Sequence, residues 1–370
     1  MERRTFLAMP AAAASLPETP KYRVVSPFQP TGRFGMPGLY PGSVVSVKAE
    51  KSIDPQTETV DTPTVAEMIR RGMAALTGEA AARDAWRKFF VPADVVGIKV
   101  NCSGAPGICS HPVVVAEIVR NLISIDVKPS QIYIYERFRN QMDTVNYDRY
   151  VPEGVNIVAA ENSRNQMNGY DPRAYVEVDF FGEEDTRSNL VRQVSERFTK
   201  IINVPNMKDH GAAGVTGCLK NIAYGNFSNV ARSHRNEKTN TLSFIGTLAK
   251  VEPLHSITAL HVMDGLRGVW HGGPFSPTRR FRFYPRQLMF GTDPVAMDRL
   301  LIDIIDNKRK AEGATSVWDR SMANVQRGRG YSDNPNIQRF IRETGHIEFA
   351  AKLGLGVYDR AKIQLKEIQL

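Results

Sequence analysis

Lys208 and His210 stand two residues apart at the end of the run Ile201-Ile202-Asn203-Val204-Pro205-Asn206-Met207-Lys208-Asp209-His210, and Lys220-Asn221 follow shortly after. A lysine near a histidine offers a fixed positive charge and a group titrating near neutrality, which suits a carboxylate, phosphate or enolate oxygen as partner. Between them lies the small-residue stretch Gly211-Ala212-Ala213-Gly214-Val215-Thr216-Gly217. Such a turn, with Gly214 free to take a positive φ and Thr216 adding a hydroxyl, can aim backbone N–H groups at an anion just before a helix begins. In this reading Lys208, Lys220 and Lys99 bind charge, while His210 or His111 moves protons. The bland alternative is a loop in which His210 bonds a carbonyl and Lys208 is solvated.

Further polar residues follow apolar runs: Asn101, Glu136, Glu161, Asp264 and Asp293. If the runs are parallel strands, their ends lie along one sheet edge, where α/β proteins bind ligands, so Asn101, Asn221, Asp264 and Asp293 join the ligand-binding candidates. Asp264-Gly265 also reads as a turn, and His111-Pro112 and Asp293-Pro294 as helix starts. His234 in a basic loop and His271 in a Gly-rich loop are further candidates. This mixture of carboxylates, imidazoles and amides could hold a divalent metal, although no diagnostic metal spacing occurs. Cys102, Cys109 and Cys218 include no Cys-x-x-Cys pair, so no iron–sulfur cluster is expected. A bridge from Cys102 to Cys109 stays open.

The segment 201–221 resembles the signature of the domain of unknown function 362 family: a strand ending in Asn-Val-Pro, then Lys-x-His-Gly, Gly-Val-Thr-Gly and Leu-Lys-Asn. Val96-Gly97-Ile98-Lys99-Val100-Asn101 with Ser110-His111-Pro112, and Met263-Asp264-Gly265 with Gly291-Thr292-Asp293-Pro294-Val295-Ala296-Met297-Asp298, agree with it. The resemblance covers about residues 94–306. It implies a fold more than a reaction. Some members carry an added ferredoxin-like segment, which this sequence lacks.

The elements that must position these residues read as alternating strands and helices, which predicts an α/β fold. The expected architecture is a single predominantly parallel or mixed sheet with helices on both faces. Strands are expected at 43–47, 95–100, 132–135, 155–159, 201–204, 256–263 and 287–290, with 205–210 as a loop. Helices are expected at 64–90 with a break near Gly78, at 111–125, 190–199, 294–305, 336–344 and 346–353. Residues 21–42, rich in Pro and Gly, read as an extended arm before a domain spanning 43–370. The start, Met1-Glu2-Arg3-Arg4-Thr5-Phe6-Leu7 and an Ala-rich stretch, resembles a twin-arginine export signal over residues 1–20, implying a periplasmic or otherwise exported protein; a cytoplasmic one is the alternative.

Across 370 residues, 42% hydrophobic and 24% charged residues support a sizeable core and argue against disorder. The net charge of +9 is dispersed, with no run of four Lys or Arg, which disfavours nucleic acid and favours attraction of a small anionic ligand. No run reaches the ~18 apolar residues of a membrane span. The expected function is an enzyme or cofactor-binding protein acting on a small anion. The alternative is a non-catalytic binding or assembly protein using its basic loops and arm. A nucleotide-dependent oxidoreductase is disfavoured because no Gly-x-Gly-x-x-Gly follows a strand.

Overall fold

The computed structural model describes residues 20–32, 34–162, 167–234, 237–276, 278–326 and 333–370. The export-signal reading lies outside these residues. In chain order the elements are β1 (Arg23–Val25), β2 (Ser43–Lys48), α1 (Thr62–Thr77), α2 (Ala82–Arg87), β3 (Val96–Lys99), α3 (Pro112–Ser124), β4 (Ile132–Phe138), α4 (Arg139–Val145) and β5 (Asn156–Glu161). They continue with β6 (Tyr170–Glu177), β7 (Arg187–Val191), α5 (Arg192–Glu196), β8 (Lys200–Asn203), β9 (Asn206–His210), β10 (Gly214–Thr216), α6 (Cys218–Tyr224), α7 (Thr241–Ala249) and α8 (Leu254–Ile257). The last are β11 (Thr258–Val269), β12 (Arg282–Phe283), β13 (Gln287–Gly291), α9 (Pro294–Ala311), α10 (His346–Lys352) and β14 (Gln364–Gln369).

Short, fully buried strands such as Val96–Lys99 need cover on both faces, and the sheet supplies it. Its main path is β14-β2-β13-β11-β8-β3-β4-β5, with β9, β10 and β12 attached at one end of β11. From β11 to β5 every pairing is parallel, and on this path only β13 runs against its neighbours. One face packs Ile98 and Val262 against Met68, Trp86, Val114 and Ile118 of α1–α3. The opposite face packs Ile201 and Met263 against Leu219, Ile245 and Leu301 of α6, α7 and α9. The chain is therefore α/β, with a large, mostly parallel mixed sheet between helices. Among the described residues no helix is long and apolar enough to cross a membrane.

Three helices begin as their sequences indicate, with a side-chain acceptor before a proline in the first turn. Asp61 accepts from Thr64 N at 2.9 Å, His111 Nδ1 from Val113 N at 3.3 Å, and Asp293 Oδ1 from Ala296 N at 2.8 Å. Gly78, at φ 79°, ends α1 where the break was expected.

Other expectations are corrected. The arm is not merely extended: β1 pairs antiparallel with β6 in a separate three-stranded sheet β1-β6-β7. The helix expected at 190–199 is shorter: Leu190 and Val191 end strand β7, and only α5 is helical. Asp264-Gly265 is no turn, because β11 runs through it for 12 buried residues. Residues 336–344 are not helical, because their backbone N–H groups bond elsewhere: Ile341 N to Glu237 O and Glu343 N to Ala212 O. Strand β14, parallel to β2 at the sheet edge, had no counterpart in the expectation. Cys102 and Cys109 are buried free thiols, so the bridge left open between them is not formed.

Candidate functional site

The run Asn206–His210, expected as a loop, is a strand that pairs antiparallel with β10, placing Lys208 opposite Thr216 and His210 opposite Gly214. Side chains alternate along a strand, so Lys208 and His210 share one face of this hairpin. Its polar sequence hides a buried strand: every residue from Asn206 to His210 is buried. Gly214 takes φ +79°, and a Cβ there would come within 2.5 Å of Thr344 Cγ2. The turn's N–H groups do not face an external anion, because Ala212 N and Ala213 N both donate to His210 Nδ1 at 3.1 Å. The start of α6 is likewise occupied. Asp298 accepts from Cys218 N at 2.6 Å and from Leu219 N at 2.9 Å.

Beyond the carboxyl ends of the parallel strands opens a cavity of about 690 Å³. Asn101 and Ser103 border it after β3, Glu136 to Phe138 from β4, Asp209 and His210 from β9, and His271 to Phe275 after β11. Thr216, Lys220, Asn221, Tyr224 and His234 form the helix-side wall, and Gln338 to Phe340 and Arg342 close the remainder. The geometric condition set by the sequence, parallel ends on one edge, is met by β3, β4, β9 and β11.

Five of the eleven candidates line this cavity: Asn101, His210, Thr216, Lys220 and Asn221. Lys208 stands directly behind it, fully buried, with Nζ donating to Asn101 Oδ1 at 2.6 Å and to the Ser103 carbonyl. Asn101 Nδ2 donates to Asn221 Oδ1 at 3.0 Å, and Asn221 Nδ2 to Asn203 Oδ1 at 2.7 Å, so a buried amide chain fixes this wall. Lys99 is also buried behind the wall, 2.8 Å from Glu136 Oε2. The remaining four do not line it. Asp264 accepts from His111 N at 2.7 Å and Leu266 N at 3.0 Å within the sheet, and His111 caps α3. Asp293 receives Gly42 N and Val357 N besides capping α9, and Gly214 packs on Thr344.

His210 and Lys220 meet in the cavity wall. His210 Nε2 and Lys220 Nζ are 2.7 Å apart. Burial holds the imidazole well below its usual range, with a further lowering whenever Lys220 is charged, so the ring is neutral and carries one proton. Two backbone N–H groups point at Nδ1, which is therefore bare, and the proton sits on Nε2. Nε2–H then donates to Lys220 Nζ, which accepts only as a neutral amine. Burial first, then the charge of Lys208, lowers Lys220 to about 7, and no carboxylate offsets them among the described residues. Lys208 itself is lowered by burial to about 8.

Around this pair the wall carries more cations than anions. Glu136 is matched by Lys99, and Arg137 by Glu161 at 3.1 Å. Asp209 takes Gly273 N at 2.7 Å and lies 3.8 Å from Arg342, whose guanidinium burial lowers to about 9. Arg342, Asp209, Tyr224 and Arg339 were not singled out in the sequence. Arg342 sits in a stretch read as helix, with no local signal to mark it, and the run 206–210 has no apolar alternation to mark β9. Next to His234, Arg232 is anchored: it donates to Val178 O at 2.6 Å and Thr186 O at 2.9 Å. Among the described residues no group of three or more His, Cys, Asp and Glu is placed to hold a metal.

The chain matches the domain of unknown function 362 family over residues 96–303, more than half its length, and belongs to that family. All five cavity-lining candidates fall within the matched segment; Arg339 and Arg342 lie beyond it. No curated protein matches the chain. Among solved structures, a structural-genomics protein from Thermotoga maritima aligns with TM-score 0.32 and 10% identity, over 57% of this chain and 51% of its own. This chain thus spans about half the length of that structure.

Proposed function

We propose that the cavity at the strand ends binds a small anionic ligand and that Lys220 and His210 move protons on it. The observation that carries this reading is the 2.7 Å contact between His210 Nε2 and a buried Lys220 amine in the cavity wall. An amine lowered to about 7 can gain or lose a proton at neutral pH, and the imidazole N–H beside it can hydrogen-bond a ligand oxygen and relay a proton in concert with that amine. Arg342 and Arg339 in the same wall favour an anion. Asn101 and Asn221 fix the geometry through the chain anchored on Lys208. A largely preorganised pocket of this size suits a ligand of metabolite dimensions. Export by the twin-arginine route belongs to the same proposal and rests on Arg3 and Arg4 alone.

Calorimetric titration with a panel of small carboxylates and inorganic phosphate tests the binding claim. At least one should bind the wild type, and Lys220→Met or His210→Ala should weaken it roughly tenfold, which is about 1.4 kcal/mol. Binding of no panel member, or affinity unchanged in both folded variants, would remove the proposal.

A further inference from the structure

The cavity holds the elements of an amine nucleophile and, beside it, polar groups without partners. Lys220 is 8% exposed at the wall, with Nζ 2.7 Å from His210 Nε2 and 5.0 Å from the Tyr224 ring centroid. Buried Lys208 lies behind the same wall, and its charge bears on Lys220. A lysine kept neutral by burial and a neighbouring cation is the arrangement in which an amine attacks a carbonyl carbon. Thr216 Oγ1, His234 Nε2 and Arg342 Nε belong to residues that line the cavity, are buried, and have no hydrogen-bond partner among the described residues. Polar side chains left open in one cavity wall suit an acid group on the ligand, with Arg342 providing the charge.

We infer that Lys220 forms an imine with the carbonyl carbon of a small oxo-acid anion held in this cavity. The inference rests on the anion-binding reading above and narrows its ligand to a carbonyl compound. As the carbonyl enters, its oxygen takes over the His210 Nε2–H that Nζ had accepted, which frees the Nζ lone pair to attack the carbonyl carbon while the C=O π pair moves to oxygen. The Nε2 proton passes to that oxygen in concert with transfer of an Nζ proton of the adduct to Nε2, so the ring stays neutral throughout and a carbinolamine forms. A second proton transfer from nitrogen releases the oxygen as water, so one amine and one carbonyl give one imine and one water. The groups facing Lys220 that share this proton balance are His210, His234, Lys208, Arg342 and His346.

The test uses the full-length protein with pyruvate or glyoxylate and sodium borohydride, which reduces an imine to a stable secondary amine. Peptide mass spectrometry should place one reduced adduct on Lys220, formed roughly tenfold faster than on the exposed lysines because a much larger fraction of its amine is unprotonated at neutral pH. Lys220→Arg, which keeps a cation but removes the nucleophile, should lose it. Site mapping in the wild type decides the matter even if the variant folds poorly. Absence of an adduct with both probes, or labelling only of other lysines, overturns the imine. If small anions still bind in a Lys220-dependent way, the imine fails while the binding site stands.

Discussion

Removing the Lys208 ammonium, which stands behind the cavity wall, would leave the Asn101 Oδ1 atom and the Ser103 carbonyl without their donor. The sequence suggested a loop position whose loss the fold would barely notice. Full burial reverses that expectation, and Lys208→Met should destabilise the protein by about 1–3 kcal/mol in urea unfolding, the cost of stranded buried acceptors. A change below about 0.5 kcal/mol would mean the pair of contacts adds nothing beyond a surface substitution. Lys220 gives a second prediction, with a definite sign. Its folded-state value is lowered from 10.5 to about 7, so between those values the unfolded chain binds a proton that the native protein does not. Stability therefore rises with pH across this window, by at most about 1.4 kcal/mol per pH unit from this group, and the burden is greatest below about pH 7. The stability difference between wild type and Lys220→Met should move in favour of the wild type from about pH 7 to about pH 10. A flat difference would show that the amine titrates alike in both states.

The elements that carry these residues are held by tertiary contacts which local sequence does not announce. Helix α6 has no N-cap side chain of its own at Gly217; Asp298 of α9 accepts its first N–H groups, and a Cβ at Gly217 would lie 2.1 Å from Asp298 Oδ1. Burial raises the Asp298 carboxyl to about 7, yet both oxygens accept backbone N–H groups that favour its ionised form. Asp298→Ala should cost about 1–3 kcal/mol and loosen the placement of Lys220. Equal thermal stability of the two proteins would contradict this account of the cap. By contrast, α1, α3 and α9 were legible because their signals are local: an acceptor, a proline and an apolar periodicity. The β9–β10 hairpin was not. A strand reading Asn-Met-Lys-Asp-His lacks the apolar alternation that marks strands, and only tertiary partners for Lys208, Asp209 and His210 make its burial tolerable. Strand β11 passes through Asp264-Gly265 because the glycine admits Met207 Sδ, 2.4 Å from the position a Cβ would take.

For the whole molecule, the alternation of short apolar runs and helices made the parallel sheet readable, and the parallel order then gathered Asn101, His210, Lys220 and Asn221 at one edge. Sequence order could not show that the stretch 337–342, outside the family segment, closes the same cavity with Arg342, nor that Asp264 and Asp293 spend their oxygens inside the fold. The export proposal concerns the intact chain. If Arg3 and Arg4 direct it, replacing both with lysine should retain a tagged protein in the cytoplasm of its host; unchanged location would end that proposal. The central claim is that Lys220 is a neutral amine accepting the His210 Nε2 proton. Nitrogen-detected NMR titration of the lysine Nζ and histidine ring atoms, in the uniformly labelled protein, measures it directly. The expected result is a lysine signal titrating near pH 7, missing from Lys220→Met, and a His210 ring whose Nδ1 is bare while Nε2 carries hydrogen. A Lys220 amine that stays protonated to about pH 10, the ordinary lysine range, would contradict it.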